Sequence, residues 1–376
     1  MIAGVTMRPD ACFSADYGQA RQRFVTRAGE AGGTLVRYDH ALRGPRGEDL
    51  ACDAAWFGPM DAAAVLVLVC ATHGVEGFSG SAAQLDWLDV GGPASLPPGV
   101  AALLVHALNP WGFAWLRRTT EDGVDLNRNC VDFAAGVPAN EGYAALADAF
   151  VPRALDKATL AEARERLASF RDARGARTLQ AARSSGQHTH PDGLFYGGVE
   201  PTWSRDLIGT LARDFRLADR RGVAVIDYHT GLGSWGHGEP ICGHRPGTSG
   251  QARCRAWYGD SLGEPLLGTS ASLPITGLTQ YEWARQIGDE ALTFVALEFG
   301  TFPVEVGDAA LRDEHWLHAH GGLAWDDPRS QAIKFALKRF YHPDTPDWRE
   351  LVLLRSRQVI GQACSGLAHP RDGRSA

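Results

Sequence analysis

Residues Ala64–Cys70 read AVLVLVC, an unbroken apolar run rich in valine. A strand with one wet face alternates apolar and polar residues. An unbroken run has to be buried on both faces, as in a parallel sheet covered by helices on either side. A glycine-rich turn follows, HGVEGFSG, then a helix-like stretch over Ser81–Val90, then Pro and Gly across 91–99. Val100–Leu108 (VAALLVHAL) is a second buried strand. Strand, crossover helix and strand make a βαβ unit. Val223–Tyr228 (VAVIDY) and Thr293–Phe299 (TFVALEF) are further runs of this kind. Asp16–Glu30 predicts an amphipathic helix and Thr34–Tyr38 a short strand. The chain from about 328 onward reads as helical, with a polar tail after Ala368. In 134–200, Leu160, Ala163, Leu167 and Phe170 fall at helical spacing among Arg and Glu, which predicts a solvated helical insertion. Its tail, Ser184–Gly198, reads as a polar, glycine-rich loop. The simplest expectation is one α/β domain over 1–376 carrying that insertion.

Charge and cysteine usage narrow the function classes. Asp and Glu number 44 against 37 Lys and Arg, a net charge of −7, which argues against a general nucleic-acid binder. No apolar run approaches the roughly 18 residues of a membrane span. The start, MIAGVTMRPDACF, lacks a basic segment followed by an apolar one, so no signal peptide is expected. The seven cysteines are scattered, odd in number and without a C-x-x-C pair, which predicts reduced thiols and a cytoplasmic protein.

The chemistry-bearing residues follow the buried strands. His73 and Glu76 sit in HGVE, just past AVLVLVC, where ligands gather in open α/β sheets. An imidazole and a carboxylate are good zinc ligands, although H-x-x-E alone is more often an ordinary surface loop. His229 repeats the arrangement at the end of VAVIDY, followed by Thr and Gly, and Asp227 points to the same strand face. The next pair is NPWGF (Asn109–Phe113) and DLNRN (Asp125–Asn129). An adjacent Asn127 and Arg128 suit a carboxylate, with guanidinium binding it bidentately. Arg117 and Arg118 lie between the two. Glu298 interrupts the apolar strand VALEFG. A buried acid is costly unless paired or functional, and one raised toward neutrality is a general-base candidate.

Together these motifs, in this order, resemble the zinc carboxypeptidase superfamily, the funnelin metallopeptidases. NPWGFAWLRR, GLFYGG, HTGLG and LEFGT are most similar to a bacterial branch that also resembles the succinylglutamate desuccinylase and aspartoacylase deacylases. The likeness runs from about 64 to 303 and is weakest over 134–200. It implies a three-layer α/β/α fold with a mixed, mostly parallel central sheet. It implies one zinc ion on His73, Glu76 and His229, with Asp125 behind the first histidine. Arg118 would stabilise an oxyanion, with Arg117 the fallback. Asn127 and Arg128 would hold a terminal carboxylate, and Glu298 would act as base and acid. The superfamily's mobile tyrosine has only a loose counterpart in Tyr281.

The expected activity is hydrolysis of an amide next to a free carboxylate. The foremost form is a metallocarboxypeptidase acting on small peptides; the second is an N-acyl amino acid deacylase. A non-catalytic carboxylate-binding protein is the remaining alternative. No nucleic-acid or membrane partner is expected. The 184–198 loop, with His188 and His190, is a candidate cap, although loop histidines more often face solvent. His315 and His318 read as a solvated helix end, and Trp111, Trp115, Trp203 and Trp235 as core packing.

Overall fold

The computed structural model describes residues 8–369. Seven strands form one sheet: β1 (Thr34–Arg43), β2 (Asp49–Phe57), β3 (Ala64–Val69), β4 (Val100–His106), β5 (Gly222–Trp235), β6 (Gly238–Ile241) and β7 (Leu292–Gly300). Their order is β1-β2-β4-β3-β5-β7-β6. β3 pairs in parallel with β4 and β5, and β5 with β7. The outer pairings, β1–β2, β2–β4 and β6–β7, are antiparallel.

The valine-rich run explains the layers. Ala64, Leu66 and Leu68 point into one core with Phe24, Leu85 and Val352. Val65, Val67 and Val69 point into the other with Leu211, Trp283 and Ile287. The first core is covered by helices Tyr17–Glu30, Gly77–Asp89 and Pro346–Ala368, the second by Trp203–Asp214 and Thr279–Ile287. Each fully buried Val, Leu or Phe contributes about 1.5–3 kcal/mol of transfer free energy, which is why both faces are apolar. The expected three-layer α/β/α architecture with a mixed sheet is the one adopted.

Two strands escape the periodicity argument. β2 (DLACDAAWF) is alanine-rich and has no regular alternation, although all but its first residue are buried. β6 (GEPI) is a four-residue edge strand, where a proline costs no interior ladder bond. β1 runs on to Arg43, beyond the expected Tyr38. Residues 134–200 hold three helices, Glu141–Phe150, Lys157–Arg174 and Ala176–Ser184, of which the long middle one buries only Ala163. All seven cysteines are free thiols. Among the described residues no helix is long and apolar enough to cross a membrane.

This topology brings the carboxyl ends of β3, β4, β5 and β7 together. In the β5–β7 register His229 lies beside Glu298, while HGVE and NPWGF leave the ends of β3 and β4.

Candidate metal centre and active site

The two turns that open the site touch backbone to backbone. A Cβ on Gly74 would lie 2.1 Å from the Gly112 carbonyl carbon, so only glycine fits there. The Asn109 side chain accepts the Gly112 N–H at 2.8 Å and donates to the Thr119 carbonyl at 3.1 Å. The Val75 N–H donates to the Arg117 carbonyl. The arginine loop is thereby pinned against HGVE.

Gly74–Glu76 form one tight helical turn that folds Glu76 back onto His73. His73 Nδ1 lies 3.0 Å from Glu76 Oε1. His229 Nδ1 lies 3.2 Å from Glu76 Oε2 and 3.2 Å from His73 Nδ1. The ligand atoms of the three residues all lie within 4.8 Å of one another, and all three side chains are buried. A tetrahedral zinc with bonds of about 2.0–2.1 Å has ligand atoms about 3.3 Å apart, so this donor set fits such an ion.

The outer ring nitrogens each face a buried carboxylate. His73 Nε2 lies 3.1 Å from Asp125 Oδ1. Burial alone would raise Asp125, but Arg118, His73 and Arg128 hold it well below the usual carboxylate range. An ionised Asp125 accepts, so His73 Nε2 carries the proton and Nδ1 turns its lone pair inward. Arg118 Nη2, 3.0 Å from that nitrogen, is then a contact and no hydrogen bond. His229 Nε2 lies 3.1 Å from Asp227 Oδ2, off the hydrogen-bonding line. Asp227 accepts from the Thr72 hydroxyl at 2.7 Å, and its Oδ2 lies 3.2 Å from Thr279 Oγ1, whose single proton it shares with Asn127 Oδ1. Burial pushes His229 down, but Asp227 and Glu76 outweigh it and raise it well above the ordinary imidazole value. The cluster attracts positive charge.

Arg118 faces this cluster. Its Nη1 donates to Glu76 Oε1 at 2.6 Å and its Nε to Asp125 Oδ2 at 3.0 Å. Arg117 turns away toward Glu314, 3.4 Å distant. Glu298 stands across the cavity, where its Oε1 accepts the Leu232 N–H at 3.0 Å. Burial first, then the Glu76 charge, raise it to about 7.

His73, His229, Arg118 and Glu298 line one cavity of about 200 Å³, together with Asn127 and Arg128. Asn127 Oδ1 accepts from the Thr279 N–H at 2.9 Å and from its hydroxyl at 3.0 Å. Arg128 donates to the Ser184 carbonyl through Nε (3.1 Å) and Nη2 (2.6 Å), and to the Asn127 carbonyl at 2.8 Å. Its nearest carboxylate, Asp125, is 3.9 Å away. Burial accordingly lowers Arg128 to about 10. The rest of the lining includes Leu273, Ile275, Leu278 and Phe294.

Tyr281 lines the same cavity, its hydroxyl donating to the Ile275 carbonyl. The 134–200 segment reaches it through Arg183, Ser184 and Phe195, whereas His188 and His190 bond within their own loop. Tyr341 also lines it, its hydroxyl 3.5 Å from Arg118 Nη1. No sequence signal marks Tyr341, which ends the helix Pro328–Tyr341 far from any motif. The expected solvated helix end is corrected at Glu314 and His315, while His318 is exposed as expected. Glu314 and His315 are 0% and 1% exposed, because Glu314 pairs with Lys334 at 2.5 Å. The tryptophans 111, 115, 203 and 235 are absent from the lining, and Trp111 stacks on Trp115.

The family described as "Protein of unknown function (DUF2817)" matches residues 13–355. No curated protein matches the sequence. Among solved structures the chain is similar in fold to three named enzymes. Carboxypeptidase A from Helicoverpa armigera gives a TM-score of 0.41 at 12% identity, over 91% of this chain and 73% of that one. Succinylglutamate desuccinylase from Chromobacterium violaceum gives 0.35 at 16% identity, over 86% and 74%. Glutaminyl cyclase from Porphyromonas gingivalis gives 0.36 at 9% identity, over 93% and 98%.

Proposed function

We propose that this chain, which belongs to the DUF2817 family, is a metal-dependent hydrolase that cleaves an amide bond next to a free carboxylate. One observation carries the reading. The inward-facing nitrogens of His73 and His229, joined by the Glu76 carboxylate, face one cavity with a Glu298 raised to about 7 and a buried arginine short of counter-charge. Two histidines and a carboxylate are a zinc donor set that leaves a coordination position open. Zinc held there would supply Lewis acidity, making water a better nucleophile and a carbonyl a better electrophile.

The protein's own groups divide the remaining work. Asp125 orients the His73 imidazole and fixes which nitrogen faces inward, and Asp227 sets a negative charge behind His229. Arg128 and the Asn127 amide receive the substrate carboxylate, which provides the negative charge that Arg128 lacks. Glu298 takes a proton from the attacking water and returns it to the leaving amine. Arg118, preorganised by Glu76 and Asp125, stabilises the oxyanion as its charge develops. The 134–200 segment acts as an insertion that closes one side of the cavity. The acceptor of the carboxylate is the same for a carboxypeptidase on small peptides and for an N-acyl amino acid deacylase.

The test is mass spectrometry on a panel of short peptides and N-acyl amino acids with the zinc-loaded protein and Glu298→Gln. Loss of single C-terminal residues identifies a carboxypeptidase; cleavage confined to N-acyl amino acids identifies a deacylase. Glu298→Gln should keep its zinc and lose at least about 100-fold in rate. Zinc binding without turnover on any member of the panel would overturn the hydrolase reading in favour of a binding protein.

A further inference from the structure

We propose that Phe195 is a specificity-determining residue, whose ring, laid over Arg118 and Arg128, holds Arg128 poised as a receptor for a carboxylate and against its uncharged amide. The proposal rests on the cavity being the substrate site and goes beyond it in naming what selects the charge.

Phe195 is the one cavity-lining residue besides glycine with a left-handed backbone, at φ 53°. A bulky side chain rarely accepts that conformation, and such outliers persist where the surroundings over-determine them, often at functional sites. Here the surroundings are specific. The Phe195 carbonyl accepts the Gln187 N–H at 3.2 Å, and the next carbonyl, of Tyr196, accepts the Asp125 N–H at 2.7 Å. The loop is thus tied to the residue that backs His73, and the ring is thrown across both guanidinium groups. Its centroid lies 5.5 Å from Arg118 Cζ and 5.2 Å from Arg128 Cζ. Both fall inside the about 6 Å reach of a cation–π contact.

The same stretch also wraps Arg128 from behind. The Ser184 carbonyl takes two of its N–H groups. Gly186, at φ 99°, passes so close that a Cβ there would lie 2.6 Å from Arg128 Cδ. Arg128 therefore sits among carbonyls and a ring face, all partial negative charges, with its nearest full negative charge at 3.9 Å. These partners keep the guanidinium in place and leave its charge largely uncompensated. A carboxylate entering the cavity supplies that charge; a carboxamide of the same shape does not. Removing the ring frees the arginine forks and lets water screen them, which costs the acid more than the amide.

The experiment is calorimetric titration of the zinc-loaded full chain with N-acetyl-leucine and with N-acetyl-leucinamide. Leucine is chosen because the cavity wall carries Leu273, Ile275 and Leu278. The wild type should bind the acid at least about 10-fold more tightly than the amide, from the charged Arg128 donors that the ring holds in place. Phe195→Leu keeps the apolar bulk and the backbone strain but loses the ring, and its acid-to-amide ratio should fall by about 5-fold or more. Phe195→Tyr should restore the ratio, which a packing role alone would not require. A wild type without acid preference, or a Phe195→Leu protein that keeps the full ratio, would overturn the proposal. The two readings fail separately. Acid preference that depends on Phe195 without any turnover refutes the hydrolase and leaves Phe195 standing, whereas turnover with an unaltered ratio in Phe195→Leu does the reverse.

Discussion

Two clusters built around buried carboxylates share almost the same ingredients and do opposite things with them. One holds His73, His229, Glu76, Asp125, Asp227 and Arg118; the other holds His315, His318, Glu314, Lys334 and Arg117. In the second, the Lys334 ammonium lies 2.5 Å from Glu314 Oε1 and 2.7 Å from His318 Nε2. A cation already occupies the point where the acceptors meet, and burial pushes His315 down to about 3, so that ring stays neutral. In the first, Arg118 lies at the side, and the point between His73 Nδ1, His229 Nδ1 and Glu76 faces the cavity. Residue types alone do not mark a metal centre. The direction of the lone pairs, and whether a lysine already answers them, decides. Adjacent arginines serve the two clusters, Arg117 one and Arg118 the other.

The contrast breaks first, and most heavily, at Lys334. Lys334→Met removes the ammonium closest to Glu314 and leaves Arg117, 3.4 Å away, as the remaining cation of the second cluster. Loss of one partner from a buried pair costs about 3–5 kcal/mol, read as a lower denaturation midpoint. Zinc content should stay at the wild-type level, since no ligand is touched. A variant as stable as the parent would show that Lys334 does not neutralise Glu314.

A smaller effect sharpens the first cluster. Asp227→Asn removes the negative charge behind His229 and should weaken zinc affinity about 10–100-fold, as other outer-sphere carboxylates do. Competition with a chromophoric chelator measures it. Unaltered affinity would leave Asp227 a partner of Thr72 and Thr279 only.

The smallest effect is a pH dependence in the metal-free protein. Glu298 titrates near 7 when folded, against an ordinary value of 4.5. The folded state then holds a proton that the unfolded state has released. Stability from this group is present below the unfolded value and declines as pH rises from about 4.5 to about 7. Glu298→Gln lacks that titration. The melting temperature of the wild type should therefore fall relative to the variant across this window, and a constant difference would assign the proton elsewhere.

The legible part of the fold was the part buried on both faces. Ala64–Cys70 announces itself because nothing polar interrupts it, and Val223–Tyr228 because only Asp227 does; the histidine and glycine that follow lie just past the end of β3, whereas β5 stays in the sheet to Trp235. β6 gave no such signal, being four residues with a proline. The site divides the same way. His73, Glu76, His229 and Glu298 stand at strand ends and could be named from sequence order. Phe195, Thr279 and Tyr341 reach the cavity only through tertiary packing, from a loop, a helix start and a helix end. The Glu314–His318 stretch misled at its buried start because its charges suit a wet helix end. Their true partner, Lys334, stands on a separate helix.

The split donor set also has a kinetic side. His73 and Glu76 are neighbours in the chain, but Glu76 and His229 lie 153 positions apart, the one past the end of β3 and the other within its parallel neighbour β5. An unfolded chain offers an ion only the local pair. The third donor arrives once β3 and β5 have aligned, late in any folding route, because pairing that distant carries a loop-closure cost. An ion captured there would act as a clasp across the middle of the sheet, with little influence on how fast the chain folds and a large one on how slowly it comes apart.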